Sequence, residues 1–288
     1  MTMLRDYVPK VHIHPVLMVF LVISFVTGTF MELAIILSIV LFHELGHYIV
    51  AKVFNWRIKG IMLWVFGGVM DTQEHGNKPI REEALVTIAG PFQHLIIYFL
   101  LFLLTPVGFV PSSVLELIFY YNTVILLFNL LPIWPLDGGK LLFLCLSAFS
   151  PYKKAYYWVI LFSMAACLVI ILFQLIFFPF TLSAFFIMLF LFMENRSEWK
   201  NRYYVFMRFL LNRYEGNTAV TAVSPILVES ETPLKDVLGY FRRDNKHSIY
   251  ITGPNNKRQS IDEGDCLLLF FHGKHYNKTI GELVYYIS

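Results

Sequence analysis

The stretch LFHELGHYIVAK, residues 41–52, contains two histidines and a glutamate in an H-E-x-x-H pattern. Residues four apart lie on one face of a helix, so His43 and His47 can each offer a ring nitrogen to one zinc ion. In this arrangement Glu44 serves as the general base toward a metal-bound water. The pattern therefore predicts the metal site of a hydrolase.

The segments around this motif are among the most apolar of the chain, with MELAIILSIVLF directly upstream. An ionisable side chain at bilayer depth costs roughly 2.5–3.5 kcal/mol on insertion scales, which favours a functional role for such a residue. Three of them within five residues are hard to explain by packing. The alternative is a neutral cluster of histidine and glutamate held by hydrogen bonds between helices.

A third metal ligand is predicted in FNLLPIWPLDGGK, residues 128–140. Catalytic zinc sites usually have three protein ligands and an open fourth position, so two histidines are not sufficient. Pro132 and Pro135 are expected to end an apolar helix and to leave Asp137 on irregular backbone before two glycines. The alternative is an ordinary turn aspartate.

The elements that must position these residues are predicted to be membrane helices. The chain is 57% hydrophobic and 15% charged, whereas soluble domains carry about 25% charged residues. A bilayer-spanning helix needs about 20 apolar residues. Six candidate spans fit this requirement, and they cover residues 12–29, 32–54, 84–104, 113–133, 155–175 and 178–193.

Lys and Arg occur in alternate loops between these spans and are missing from the loops near residues 30, 105–112 and 176–180. The positive-inside rule then places both termini in the cytoplasm. The three cysteines are scattered, so they form neither a disulfide framework nor a metal knuckle.

The composition changes after residue 193. Residues 194–217 mix basic and aromatic side chains, which indicates a basic amphipathic helix on the anionic inner leaflet or, as an alternative, a solvated linker. Residues 218–288 combine strand-like and helical patterns, with GPNNKRQS predicted as a turn. We therefore predict an α-helical polytopic membrane protein with a small C-terminal α/β domain, divided as 1–193, 194–217 and 218–288.

The H-E-x-x-H motif, the AGP at residues 89–91 and the later Pro-Leu-Asp-Gly together resemble the site-2 proteases, which are intramembrane zinc metalloproteases. The resemblance implies that His43, His47 and Asp137 hold Zn²⁺ and that Glu44 is catalytic. It also implies a role for Asn129 near the cleft, in orienting the substrate backbone or stabilising an oxyanion; an interhelical hydrogen bond is the alternative.

Two further segments bear on this resemblance. WVFGGVM, residues 64–70, corresponds to a family segment that returns toward the membrane as extended chain, where an unwound substrate could pair with it. The alternative is an ordinary amphipathic loop. After AGP the family often has an asparagine, whereas this chain has Gln93 and His94. We expect His94 to pack or to form hydrogen bonds, and the alternative is a metal ligand.

The resemblance implies further features. One subgroup of the family combines a six-span core with a C-terminal CBS domain. The whole chain resembles a sporulation protease of this kind, which processes a membrane-associated pro-sigma factor in endospore-forming bacteria, in the mother-cell membrane around the forespore. The resemblance also implies a CBS-like domain at 218–288. This domain would sense ATP or another adenine nucleotide and would pair with the same domain of a second chain, which gives a homo-oligomer. Membrane inhibitor or regulator proteins are expected partners, and direct nucleic-acid binding is not.

Two other classes of function remain open from the sequence. A metal or ion transporter could use intramembrane His, Glu and Asp, but no inverted repeat is evident. A non-catalytic membrane scaffold predicts that Glu44 and Asp137 can be replaced without loss of function.

Overall fold

The computed structural model describes residues 11–13, 15–64, 67–72, 76–177, 181–218, 220, 222–252, 258–273, 276 and 278–284. The chain forms two compact units. The first comprises Met1–His75 and Arg81–Leu141, and the second comprises Gly76–Ile80 and Leu142–Ser288.

The first unit combines apolar helices with a small sheet. Its elements are β1 (Val11–Ile13), α1 (Pro15–Thr27), α2 (Phe30–Val53), β2 (Ile58–Trp64), β3 (Gly67–Thr72), α3 (Ile80–Leu104), a 3-10 turn (Thr105–Val107), α4 (Ser112–Asn129) and the start of α5 (Asp137–Phe149). Strand β2 is central, parallel to β1 and antiparallel to β3. Among the described residues, strand β3 is therefore an edge of this sheet.

Four helices within the described residues are long and apolar enough to cross a bilayer. They are Phe30–Val53, Ile80–Val107, Ser112–Asn129 and Tyr152–Phe177. Large apolar side chains remain exposed on them, including Phe102, Leu127 and Ile176. Such faces are unfavourable in water and fit a lipid environment. The prediction of an α-helical membrane protein is confirmed.

The predicted bounds of the first and the fourth span differ from the structure. Residues 12 and 13, at the start of the first predicted span, belong to β1, and α1 has 13 residues, fewer than a full crossing needs. Residue 14 and residues 178–180 lie outside the described residues. The fourth span ends at Asn129 because the chain turns ahead of Pro132. The count of six spans stays a prediction.

The second unit contains α6 (Tyr152–Phe177), α7 (Leu182–Tyr214) and the C-terminal elements. These are β4 (Ala222–Glu229), α8 (Leu234–Leu238), β5 (Asn245–Thr252), β6 (Arg258–Asp262), α9 (Glu263–Phe271) and α10 (Ile280–Val284). Strand β5 pairs in parallel with β4 and antiparallel with β6. These C-terminal elements, residues 222–284, are called the tail below. Its core contains Leu238, Phe241, Ile249 and Leu267, which are at most 2% exposed.

Two predicted boundaries fall in this unit, one at the turn before β6 and one inside α7. The prediction of a turn over GPNNKRQS is wrong in its second half, because residues 258–260 belong to β6; residues 253–257 lie outside the described residues. Helix α7 continues without a break through residue 193, so the last apolar segment and the basic segment share one helix. The division of the chain into 1–193, 194–217 and 218–288 stays a prediction.

Candidate metal centre

Three buried donor atoms from two helices converge at one point. His43 and His47 project from α2, and their Nε2 atoms lie 3.1 Å apart. Asp137, the first residue of α5, places Oδ2 3.0 Å from Nε2 of His43 and 3.1 Å from Nε2 of His47. A tetrahedral zinc ion with ligands at about 2.0–2.2 Å separates those ligands by slightly more than this. The three atoms therefore fit one zinc ion.

Asp137 does not lie on irregular backbone, as the sequence predicts, but starts α5 directly after an irregular stretch. A Cβ atom on Gly138 would lie 2.2 Å from the Leu130 carbonyl oxygen, and one on Gly139 would lie 2.4 Å from the carbonyl group of Ile133. Only glycines allow this close approach of the helix to the preceding turn. The two glycines thus fix the position of the Asp137 side chain.

The second oxygen of the Asp137 carboxylate is also engaged. Lys140 Nζ lies 3.3 Å from Oδ1, so Oδ2 is left to face the histidines. The ammonium group of Lys140 beside Oδ1 favours the ionised form of the carboxylate. Asp137 therefore offers an ionised carboxylate, the form that binds a metal.

Glu44 is buried beside the same cluster. One ligand atom from each of His43, Glu44 and His47 lies within 4.8 Å of the other two. A Cβ atom on Gly68 of β3 would lie 2.2 Å from Glu44 Cγ. The edge strand of the sheet therefore passes directly against Glu44, and only a glycine fits at this point.

A second glycine brings α3 against the histidines. A Cβ atom on Gly90 would lie 2.2 Å from Nε2 of His47 and 2.7 Å from Nε2 of His43. On the opposite helix, a Cβ atom on Gly46 would lie 2.5 Å from the Ala89 carbonyl oxygen. Helices α2 and α3 are in backbone contact here, which closes one side of the cluster.

Each histidine is held through its other ring nitrogen. Nδ1 of His47 lies 2.7 Å from the carbonyl oxygen of Val86 in α3. Nδ1 of His43 lies 3.0 Å from Nε2 of His94, whose Nδ1 lies 2.7 Å from Oδ1 of Asn122 in α4. Such contacts orient metal-binding imidazoles and leave the Nε2 lone pairs for the ion.

Asn129 stands apart from this cluster in its hydrogen bonding. Its Nδ2 donates to the Ile125 carbonyl oxygen at 3.1 Å, within its own helix. Its predicted catalytic role therefore stays a prediction. The segment 64–70 contains the end of β2 and the start of β3, while residues 65–66 lie outside the described residues. The extended conformation expected for this segment is present in the described part.

The sequence placed His43, Glu44, His47 and Asp137, and the structure brings them together. It did not reveal Lys140, Asn122 or the contact of Gly90 with the histidines. Lys140 follows Asp137 by three residues on a helix, which is a detectable ion-pair spacing once that helix is assigned. The pairing of His94 with Asn122 joins two helices and carries no local signal.

Comparison with known proteins places this geometry in context. The profile of Peptidase family M50 matches residues 31–111 and 107–172. Stage IV sporulation protein FB of Bacillus subtilis (strain 168) is 39% identical over 280 residues, which cover 97% of each chain. Zinc metalloprotease MJ0392 of Methanocaldococcus jannaschii is 33% identical over 119 residues, covering 40% of this chain and 34% of that relative.

A solved structure is also similar. The site-2 protease from Methanocaldococcus jannaschii aligns with a TM-score of 0.54 and 25% identity. The alignment covers 65% of this chain and 89% of the archaeal chain.

Proposed function

Because the chain belongs to Peptidase family M50 and is a site-2-type zinc metalloprotease, we propose that it cleaves a membrane-associated protein at bilayer depth. His43, His47 and Asp137 are the metal ligands, and Glu44 is the general base. The observation that carries this proposal is the convergence of three buried donor atoms, 3.0–3.1 Å apart, between apolar helices.

The chemistry divides between the ion and the chain. A bound zinc ion supplies a Lewis acid that polarises a carbonyl group and activates water. Glu44 accepts the proton of the attacking water and later gives it to the leaving amine. Apolar helices surround the site, so only water and substrate segments that enter the membrane can reach it. Asn129, near the end of α4, orients the substrate backbone or stabilises the developing oxyanion.

The edge strand β3 supports a route for the substrate. A helical substrate hides its amide groups in intrahelical hydrogen bonds and must unwind before attack. Unwound chain can add to the free edge of β3 by β-augmentation. Because Gly68 of β3 touches Glu44, a peptide paired beside it comes close to the general base. This adjacency supports the role proposed for residues 64–70.

The substrate and the cellular setting follow from the family resemblance. We assign a membrane-associated pro-sigma factor as the substrate and the mother-cell membrane as the location, with both termini in the cytoplasm. The relative that matches nearly the whole chain is named a sporulation protein, which supports this setting. Membrane inhibitor or regulator proteins are the expected partners.

The C-terminal tail is proposed to be a CBS-like regulatory domain. Its order of strand, helix, two strands and helix, with β4 parallel to β5, supports the assignment. The proposed ligand is ATP or another adenine nucleotide, and pairing of two tails gives a homo-oligomer. Calorimetric titration of the purified full-length protein with ATP tests the ligand, and a titration without binding heat removes it.

The function is tested by reconstituting the purified protein with a pro-sigma factor in liposomes. Glu44→Gln is expected to keep the zinc while the cleavage rate falls by at least about 10²–10⁴-fold, because the general base is lost. Glu116→Gln is the matched control, since Glu116 is an exposed glutamate of another apolar helix. Cleavage by Glu44→Gln at the wild-type rate would contradict the role of Glu44 as general base, whereas a wild-type protein that binds the substrate without cleaving it would favour a scaffold.

A further inference from the structure

We propose that His94 and Asn122 form a positioning relay that fixes the tautomer and orientation of His43 and so sets the affinity of the cluster for its metal. The inference rests on the proposed function in taking His43, His47 and Asp137 as ligands. It adds two residues that belong to no motif and that act through His43.

The relay crosses three helices inside the apolar interior. It runs from His43 on α2 through His94 on α3 to Asn122 on α4. The two contacts are 3.0 Å between His43 Nδ1 and His94 Nε2 and 2.7 Å between His94 Nδ1 and Asn122 Oδ1. His94 and Asn122 are both 0% exposed. Water therefore cannot replace either partner without a change in packing.

The direction of each hydrogen bond follows from Asn122. Its Nδ2 donates to the backbone oxygen of His94 at 3.2 Å, so its Oδ1 is the atom that faces the His94 ring. An amide oxygen only accepts, which requires the hydrogen on Nδ1 of His94. In a neutral imidazole the other nitrogen, Nε2, then accepts.

This order determines the state of His43. Since His94 Nε2 accepts, Nδ1 of His43 must donate, and the lone pair of His43 is left on Nε2. That atom faces Asp137 and His47 and is the one required for metal binding. If His94 took the opposite tautomer, its Nε2 hydrogen would face Nδ1 of His43 and would favour a hydrogen on Nε2 of His43. That hydrogen blocks the metal.

The two ligand histidines are held in different ways. His47 contacts a backbone carbonyl oxygen, that of Val86, which cannot reverse its role. His43 contacts another imidazole, which can accept or donate. A side chain is therefore needed to fix the role of His94, and Asn122 provides it. Removal of an outer partner of a metal ligand typically lowers metal affinity by 10–100-fold.

A second contact between α3 and α4 provides a matched control. Tyr98 Oη and Thr123 Oγ1 lie 2.8 Å apart, one turn beyond His94 on α3 and one residue beyond Asn122 on α4. Tyr98→Phe removes a polar contact between the same two helices without touching His43. It therefore separates a general effect of helix packing from the effect of the relay.

The test is the zinc dissociation constant of the detergent-purified full-length protein, measured by competition with a chelator. Asn122→Leu and His94→Leu are each expected to raise it by about 10–100-fold. His94→Gln should recover part of the loss, because Gln Oε1 can accept from His43 Nδ1. Tyr98→Phe should bind zinc as the wild type does. Thermal unfolding of each zinc-free variant checks that it folds. If only one of the two leucine variants folds, its zinc affinity alone tests the proposal.

Wild-type zinc affinity in either folded leucine variant would overturn the relay, as would an equal loss in Tyr98→Phe. In both cases the wild-type protein still binds zinc, and the proposed function stands. Failure of the wild-type protein itself to bind zinc would overturn the relay and the metal assignment together.

Discussion

Two clusters of buried polar side chains, one in each unit, compensate for their lost hydration in different ways. The metal cluster, His43, His47 and Asp137, turns acceptor atoms toward one point. The tail cluster, Arg213, His247 and Glu263, places a guanidinium among its acceptors. The tail cluster contains its own cation, the Arg213 guanidinium, whereas the metal cluster is proposed to bind one.

In the tail cluster, all three buried side chains make hydrogen bonds to one another or to the backbone. Arg213 donates to both oxygens of Glu263 and to the carbonyl oxygens of Arg242 and Asn245, and His247 Nδ1 lies 2.9 Å from Glu263 Oε2. A buried ion pair with all its hydrogen bonds made is costly to break. This cluster therefore holds α7 to α9 and β5 rather than performing chemistry.

The largest expected effect comes from removing the charge that completes the metal cluster. Asp137→Asn keeps the shape of the side chain and loses the anionic oxygen, so zinc binding and cleavage are expected to fall together to background. Zinc content by mass spectrometry and the liposome cleavage assay measure this. Wild-type zinc content in the folded variant would show that the third ligand lies elsewhere.

The glycine contacts provide the next test. Gly90→Ala places a methyl group 2.2 Å from His47 Nε2, so it should abolish zinc binding even though alanine favours helices. The matched control is Gly264→Ala in α9, where the nearest atom to the added Cβ lies 3.4 Å away. The control should keep zinc and leave stability equal or raised by up to about 1 kcal/mol. Equal zinc content in both variants would contradict the close approach of α3.

The tail cluster should respond in stability rather than in zinc content. Arg213→Met leaves Glu263 buried without the guanidinium that pairs with it and should destabilise the tail by about 3–5 kcal/mol. Arg208→Met, at an exposed position of the same helix, should change stability by no more than about 0.5 kcal/mol. Hydrogen exchange of β5 measures the difference, and equal protection in both variants would contradict the account.

The smallest expected effect is a pH dependence of the same tail. Burial would raise the pKa of Glu263, but hydrogen bonds from His247 and Arg213 outweigh it and lower the pKa below its ordinary value of 4.5. The ionised carboxylate thus stabilises the folded tail above pH 4.5, and this contribution is lost as the pH falls from there through the lowered pKa. As the pH falls through that interval, the protection of the β5 amides relative to their intrinsic exchange rates should decrease in the wild type and vary less in Glu263→Gln.

The comparison also explains which features were predictable. His43 and His47 lie four residues apart on one helix, so their shared direction follows from helix geometry. The place of Asp137 beside the histidines was predictable because two prolines and two glycines surround a lone acid after an apolar span. Its exact place, at the start of a helix, depends on close packing against the Leu130 and Ile133 backbone.

Contacts between elements distant in sequence were not predictable. Glu263 lies 50 residues from Arg213 and 16 from His247, and only the packing of α9 on β5 and α7 brings them together. The sequence predicts a turn over part of strand β6 because its polar residues, Arg258–Ser260, carry no alternating apolar pattern. Pairing with β5 fixes that segment as a strand.

The most direct test of the central claim is the zinc content of the detergent-purified protein beside that of a His43→Ala, His47→Ala double variant. The account predicts about one zinc ion per chain in the wild type, as three converging donors require, and none in the double variant. Equal zinc content in two folded samples, whether near zero or near one, would contradict the assignment of these histidines as the metal site.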